Sequence, residues 1–426
     1  MNSIQTKHKQ FVFLLVVSAL IISIYGCRKK PTQDTNNSDA KAEQSGDNRI
    51  IVDKQLADFR IQLVKEAFEA ASSIPVKTHL KDRSRAQNLV VDTCIKLDQP
   101  VRAIRYADKI ENWRRGLCYA NTAFHLAQNG FSGESVEKGL RIAEQIANMD
   151  HGRQWRSDRI KAKIAQTYIL LGDRQKADLF SKGLVEVESS KIMETKIKTD
   201  RHISFENYTR VLDSQIALMN FEVKIDAINA YAQLFNRYYD DIEKRDFVQE
   251  KIRTALEKNK LPNSVLMDVL LRLAEFALQH NDSTKAIELI NEVQGFLINY
   301  QWPYEHLLPY TAKLAGLRHK AGDTEKAKKD IDDALVLFNS QRDSIKNLYR
   351  AETLFPLAEA YQIIGYPEEA LWGYKQAFEE SVINPNIQHQ AADFSATCCS
   401  MALHAVEPGT EFWARIRQIK EELGSP

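Results

Sequence analysis

Glycine and proline are scarce, at 16 and 11 of 426 residues, against roughly 7% and 5% in average usage. Few turn residues over so long a chain leave few connections, which favours long helices over short strands. Cysteine is scarce too: Cys27, Cys94, Cys118, Cys398 and Cys399 show no C-x-x-C spacing, which excludes a disulfide framework. An excess of either charge is missing. Lys and Arg number 58 and Asp and Glu 57, so the basic footprint of a nucleic-acid-binding protein is absent. Long hydrophobic runs are missing with one exception, FVFLLVVSALIISIYG at residues 11–26. At 16 residues it is shorter than the ~20 that a spanning helix needs.

Motifs of chemistry are missing as well. Ten histidines are scattered without H-E-x-x-H, and there is no G-x-x-x-x-G-K-[ST], G-x-S-x-G or calcium loop. Gly130-Phe-Ser-Gly133 is a lone G-x-x-G that a helix junction explains. The acid pairs Asp240-Asp241, Glu368-Glu369 and Glu379-Glu380 point to different sides of a helix and cannot flank one bond. Cys398 falls in line with Ala391, Phe394 and Met401 at helical steps, which makes it a buried thiol. In residues 114–125, RRGLCYANTAFH, the spacing of Leu117, Ala120 and Phe124 reads as a packing stripe and not a base-stacking platform. His306 stands among Trp302, Tyr304 and Tyr310, a cluster expected to pack over a helix junction. No metal, cofactor or nucleic acid is expected.

What is present begins at the N-terminus. Lys7 and Lys9 precede the apolar run, small Gly26 closes it, and Cys27 follows, the order of an export signal. Without residues 1–26 the net charge is about −1, which implies neither acidic nor basic partners. From Arg28 to Asn48 no apolar residue is larger than alanine, so the segment cannot bury enough surface to order itself and reads as a tether. Ile24-Tyr25-Gly26-Cys27 resembles the lipobox of bacterial lipoproteins. That resemblance implies a signal peptide over 1–26, lipid on Cys27, a tether over 27–49 and a body held at a membrane of the bacterial cell envelope. Tyr25 is bulkier than the family's usual residue, and an uncleaved anchor with a free thiol is the alternative. Arg28 after the cysteine, where aspartate would retain a proteobacterial lipoprotein inside, implies outer-membrane sorting.

From Ile50 one frame recurs. Ala165, Tyr168, Gly172 and Ala177 stand at steps of three, four and five, and Ala358, Tyr361, Gly365 and Ala370 repeat them. Ala315, Arg318, Gly322 and Ala327 fit with arginine at the aromatic position, and Ala274, Asn281 and Ala286 make a further copy. The glycines suit a helix C-terminus, and Asp173 and Asp323 are expected to cap the next helix. Earlier turns are expected at Asp98 and Gly130, a doubtful one near 222, and the helical stretch 241–260 has no place in the frame. Units of this kind cannot bury their apolar faces alone and must stack.

These units resemble tetratricopeptide repeats. The resemblance implies an all-α superhelix, or α-solenoid, of helix pairs over 50–383, closed by capping helices over 384–426. Most spacings exceed the ~34 residues of the standard repeat, so the superhelix is expected to be irregular. In that family the first helix of each pair lines a concave groove for protein or peptide partners. Carried onto matching positions here, Lys163, Gln166, Arg272, Glu275, Glu359 and Gln362 line that groove. The lysine-and-asparagine clamp for a terminal carboxylate is not evident. The expected function is a membrane-anchored interaction scaffold and not an enzyme. Two alternatives differ in class: a glycan-capturing lipoprotein, supported by the Trp302–Tyr310 cluster, and an exported α/α-toroid enzyme acting on polysaccharides. A fold closed into a ring with a central acidic pit would sink the solenoid reading.

Overall fold

One helix ending is used eight times. Asp98, Gly130, Gly172, Lys260, Asn281, Gly322, Gly365 and Ala405 all have positive φ, from 50° to 96°, and each lies just past a helix. In every case the following residue donates its backbone N–H to a carbonyl five residues back. The bonds Gln99 to Cys94, Asp173 to Tyr168 and Tyr366 to Tyr361, at 2.9, 3.0 and 2.9 Å, are examples. Orphan carbonyls are thereby satisfied as the chain reverses. Six of the eight positions are the turns that the repeat frame marks; the other two are Lys260 and Ala405. Alanine pays a steric penalty in the left-handed region that glycine avoids. Ala405→Gly is expected to raise stability by ~0.5–1 kcal/mol and Gly172→Ala to lower it by ~1 kcal/mol, read as opposite shifts of the urea midpoint.

The computed structural model describes residues 49–200 and 202–423. The signal segment, Cys27 and the tether up to residue 48 lie outside the described residues. Among those described, all regular structure is helical, with no strand. Nine helices form an inner layer: α2 (Val76–Lys96), α4 (Arg114–Gln128), α6 (Gln154–Leu171), α9 (Ile192–Thr199), α11 (Phe221–Arg237), α13 (Asn263–Gln279), α15 (Tyr304–Lys320), α17 (Asn347–Ile363) and α19 (Ile387–His404). Each packs on the next, and α19 packs on α2. The inner layer of the unit Gly46–Pro426 is therefore a closed ring.

An outer layer covers it. Hairpin partners α3 (Pro100–Ala107), α5 (Glu134–Ala147), α7 (Arg174–Ser181), α12 (Ile242–Lys258), α14 (Ser283–Asn299), α16 (Thr324–Gln341) and α18 (Pro367–Ile383) follow their inner helices directly. Short α8 (Glu186–Ser190) touches α6 and α11, and α10 (Phe205–Ala217) packs on α11. Buried alanines such as Ala165, Ala274, Ala315 and Ala358 lie between the layers. Approach there is close: a Cβ on Gly373 of α18 would stand 3.0 Å from that of Ala358 on α17.

The all-α stack of helix pairs implied by the frame is present, and it has no free ends. Helix α1 (Asp58–Ser73) packs on both α2 and α19, with α20 (Thr410–Leu423) beside it. Arg60 Nε donates to the Ala402 carbonyl at 2.7 Å and Ser395 Oγ to the Ala67 carbonyl at 2.9 Å. Lys420 Nζ lies 2.7 Å from Glu69 Oε2 and also pairs with Glu66. One apolar cluster runs from Leu63 through Cys94 and Leu140 to Phe394, Cys398 and Ile416. The helices α19 and α20 of the segment 384–426, expected to cap an open end, instead meet the start of the folded chain.

Three local expectations differ. Residue 222 is not a turn but lies in the first turn of α11, whose hairpin with α12 is at 238–241. That turn escapes the frame because Tyr238 ends the helix at φ −108°, with no left-handed residue. The unplaced stretch 241–260 is α12, capped by Asp241. Asp173 caps α7 through the Lys176 N–H at 3.0 Å, whereas Asp323 makes no side-chain cap and lies 3.6 Å from Arg318 Nη1.

Candidate functional site on the inner ring surface

Closing the ring turns one face of each inner helix toward the others. The frame offsets show which. Asp92, Gln166, Glu275 and Glu359 each stand six residues before a left-handed turn residue, and Lys163, Arg272 and Lys313 each stand nine before. Offsets of three or four residues along a helix keep side chains on one face. These side chains find partners on neighbouring inner helices. Lys163 Nζ of α6 sits 4.3 Å over the Phe124 ring of α4. Arg272 Nη1 of α13 donates to Glu194 Oε1 of α9 at 2.9 Å and to Asn229 Oδ1 of α11 at 3.3 Å.

The six sequence-derived candidates fall on this inner surface, on α6, α13 and α17. Gln166 is buried, and its Nε2 donates to the Lys191 carbonyl at 2.7 Å. Glu275 lies 3.9 Å from Lys313 Nζ. Glu359 accepts from Ser400 Oγ and stands 3.8 Å from His404 Nδ1 on α19. Among the described residues Gln166 Oε1 and Gln362 Oε1 are buried without a hydrogen-bond partner, and Glu275 Oε1 has the Lys313 ion pair in place of one. Leaving an acceptor unpaired costs about 1–3 kcal/mol.

Sequence reasoning did not single out Asp92, Lys96, Glu194, Lys198, Asp226 or Lys313. The offsets could have found Asp92 and Lys313. Nothing marks Glu194 and Lys198, because α9 ends at Thr199 without a left-handed residue. The Trp302–Tyr310 cluster is a junction as expected: Trp302 Nε1 donates to the Phe296 carbonyl at 3.1 Å and the Tyr310 hydroxyl to Asp268 Oδ1 at 3.0 Å.

Ring walls on all sides displace water from the charges they enclose, even where part of a side chain stays open. Burial accordingly pushes the Asp92, Asp268, Glu275 and Glu352 carboxyls up. It pushes Lys96, Lys198 and Lys320 down. Lys163 is lowered to about 8, by burial first and then by repulsion from Lys198 and Lys191, against the pull of Glu194 and Asp92. Asp226 is raised to about 6 by burial, which outweighs the hydrogen bond from Ser190 Oγ at 2.6 Å. Groups so displaced cluster at functional sites. The surface is of mixed charge, not an acidic pit.

The Asp226 shift has a pH consequence. Its folded-state pKa lies above the unfolded value, so its contribution favours folding below pH ~4 and is lost as pH rises through about 6. Asp226→Asn is expected to flatten that fall and to be the more stable form at pH 7, measured by urea midpoints from pH 4 to 7.

Two clefts lie away from the inner surface. One of about 440 Å³ is lined by Phe59 and Gln62 of α1 with Trp413 and Arg417 of α20. The other, about 400 Å³, lies between α16 and α18 beside Trp372. Among the described residues no group of three or more His, Cys, Asp or Glu is placed to hold a metal, and no helix is long and apolar enough to cross a membrane.

No family model and no curated protein matches this chain. Among solved structures, it is similar to one described as a circular tandem repeat protein with novel repeat topology and enhanced subunit contact surfaces. The two share 15% identity over 86% of this chain and 94% of that one, with a TM-score of 0.22. The fold described above rests on its own helix contacts: this chain is an all-α, repeat-like stack of helix pairs.

Proposed function

We propose that this protein is a lipid-tethered binding module of the bacterial cell envelope, whose inner ring surface takes up a polypeptide segment of a partner. In this reading the helix pairs are tetratricopeptide-like and Cys27 carries the lipid. The observation that carries it is the set of polar and charged side chains, Lys163, Arg272, Glu275 and Glu359 among them, that the inner helices turn to one surface. A peptide brings a backbone donor and acceptor at nearly every residue, which suits polar groups distributed around a ring. Stacked helix pairs supply extended binding surfaces of this kind in other repeat proteins.

Affinity capture from detergent-solubilised membranes with the full chain is expected to return a protein partner. Recovery should fall in the Gln166→Ala/Gln362→Ala double variant and not in a variant of the outer layer such as Arg141→Gln. Equal recovery from both would refute the assignment of the inner surface. The tether is tested separately: Cys27→Ser is expected to abolish labelling by a fatty-acid analogue, and persistent label would overturn the lipid anchor.

Ring closure favours one second reading, an exported α/α-toroid enzyme acting on polysaccharides. Asp226, with its raised pKa, would serve as the acid near Glu194, whose negative charge helps to raise it. Release of reducing ends from a polysaccharide panel, lost in Asp226→Asn, would select that reading over binding.

A further inference from the structure

The charges of the inner surface are not evenly satisfied. Five cations on neighbouring inner helices have no carboxylate oxygen within 4.0 Å among the described residues: Arg85 and Lys96 on α2, Arg114 on α4, Lys163 on α6 and Lys198 on α9. The acids facing them are mostly engaged already. Asp92 accepts from Asn88 Nδ2 at 2.6 Å and from Asn121 Nδ2 at 3.4 Å. Glu194 is held by Arg272 at 2.9 Å, and Glu359 by Ser400 and His404. Glu352, whose nearest opposite charge is Arg85, has no hydrogen bond among the described residues.

These five cations lie on four inner helices that pack in succession, α2 on α4, α4 on α6 and α6 on α9, and so form one arc. Arg114 and Arg85 repel each other, as do Lys163 and Lys198. Burial is the first cause lowering the pKa of Lys96, Arg114, Lys163 and Lys198. Cations held near one another on one face gain when an anion lies among them. An anionic segment lying along the arc satisfies several of these cations together.

We propose that the inner-surface arc of α2, α4, α6 and α9 binds an acidic peptide segment, its carboxylates meeting Arg85, Lys96, Arg114, Lys163 and Lys198. This deepens the reading of the ring as a partner-binding module and rests on it. An anionic polysaccharide shares the charge, and its binding in place of the peptide is an outcome of the test.

Fluorescence anisotropy with the full chain tests the proposal, using labelled ten-residue peptides rich in Glu and Asp, neutral peptides, Lys-rich peptides and an oligo-uronate. The acidic peptide is expected to bind at least tenfold tighter than the neutral and basic ones, and to weaken as salt rises. Lys163→Gln/Lys198→Gln should weaken it tenfold or more, Lys163→Arg should retain it, and Arg141→Gln on the outer layer should leave it unchanged. Circular dichroism melts confirm that each variant is folded. Equal binding of acidic and neutral peptides, equal loss in Arg141→Gln, or binding of the oligo-uronate in place of the acidic peptide would each overturn the proposal. If the acidic peptide fails while membrane capture still returns a partner sensitive to Gln166 and Gln362, the acidic chemistry is wrong and the binding-module reading stands.

Discussion

Arg318→Ala is expected to cost about 3–5 kcal/mol of stability, the range for breaking a buried ion pair by removing one partner. Arg318 sits at the frame's aromatic position on α15, where α6 and α17 carry Tyr168 and Tyr361, and it is fully buried. Its Nη2 donates to Gln294 Oε1 at 2.6 Å and to Asn291 Oδ1 at 3.1 Å. Its Nε lies 3.0 Å from Asp330 Oδ2, close enough for an ion pair although not aligned as a hydrogen bond. Truncation would strand three polar side chains at once. Arg318→Lys keeps the charge but loses the planar fork, so it is expected to cost less. Burial already raises the Asp330 carboxyl, with Arg318 pulling it back down. Without the guanidinium it would take up a proton more readily, so the loss in Arg318→Ala should be smaller at pH 4 than at pH 7. Urea unfolding at the two pH values measures it, and a loss independent of pH would show that packing, not charge, dominates.

Ala67→Asp is expected to destabilise the protein by at least ~4 kcal/mol, because it buries a carboxylate in an apolar seam. Ala67 on α1 is wholly buried, and its carbonyl accepts from Ser395 of α19, 328 residues away. In an open stack the first helix would have a solvent-facing side on which an aspartate costs little. Here that side meets the last inner helix. The seam has a chemical signature too: a carbodiimide should join Lys420 to Glu69, 2.7 Å apart in space and on opposite ends of the folded chain. That cross-linked peptide is expected from the wild type by mass spectrometry and should be lost in Ala67→Asp. Its absence from the wild type would argue for open ends.

Much of the local structure was legible beforehand. Glycine at 130, 172, 322 and 365 and asparagine at 281 take left-handed φ because few other residues do so cheaply, so the turns could be read one by one. The turn at 238–241 was illegible for the converse reason, having no such residue. Asp323 shows the limit of reading caps by position. The same aspartate that caps α7 at 173 is drawn at 323 toward a buried arginine, and tertiary charge outweighs a local cap. Lys163, Gln166, Arg272, Glu275, Glu359 and Gln362 could be assigned to one face of their helices from spacing. Which side chains would confront them could not, since Glu194 meets Arg272 across 78 residues of chain.

By itself, the sequence determined that the body is helical, that its helices come in pairs and where most pairs turn, because capping and helical periodicity act within a few residues. Whether the two ends of the stack stay apart was decided only in the tertiary structure. Closure depends on small rotations between successive pairs adding up around the ring, and on α1 presenting to α19 the face that the last pair would otherwise leave bare. The same closure gathers the unpaired cations of four inner helices into one arc, a juxtaposition that no local pattern encodes.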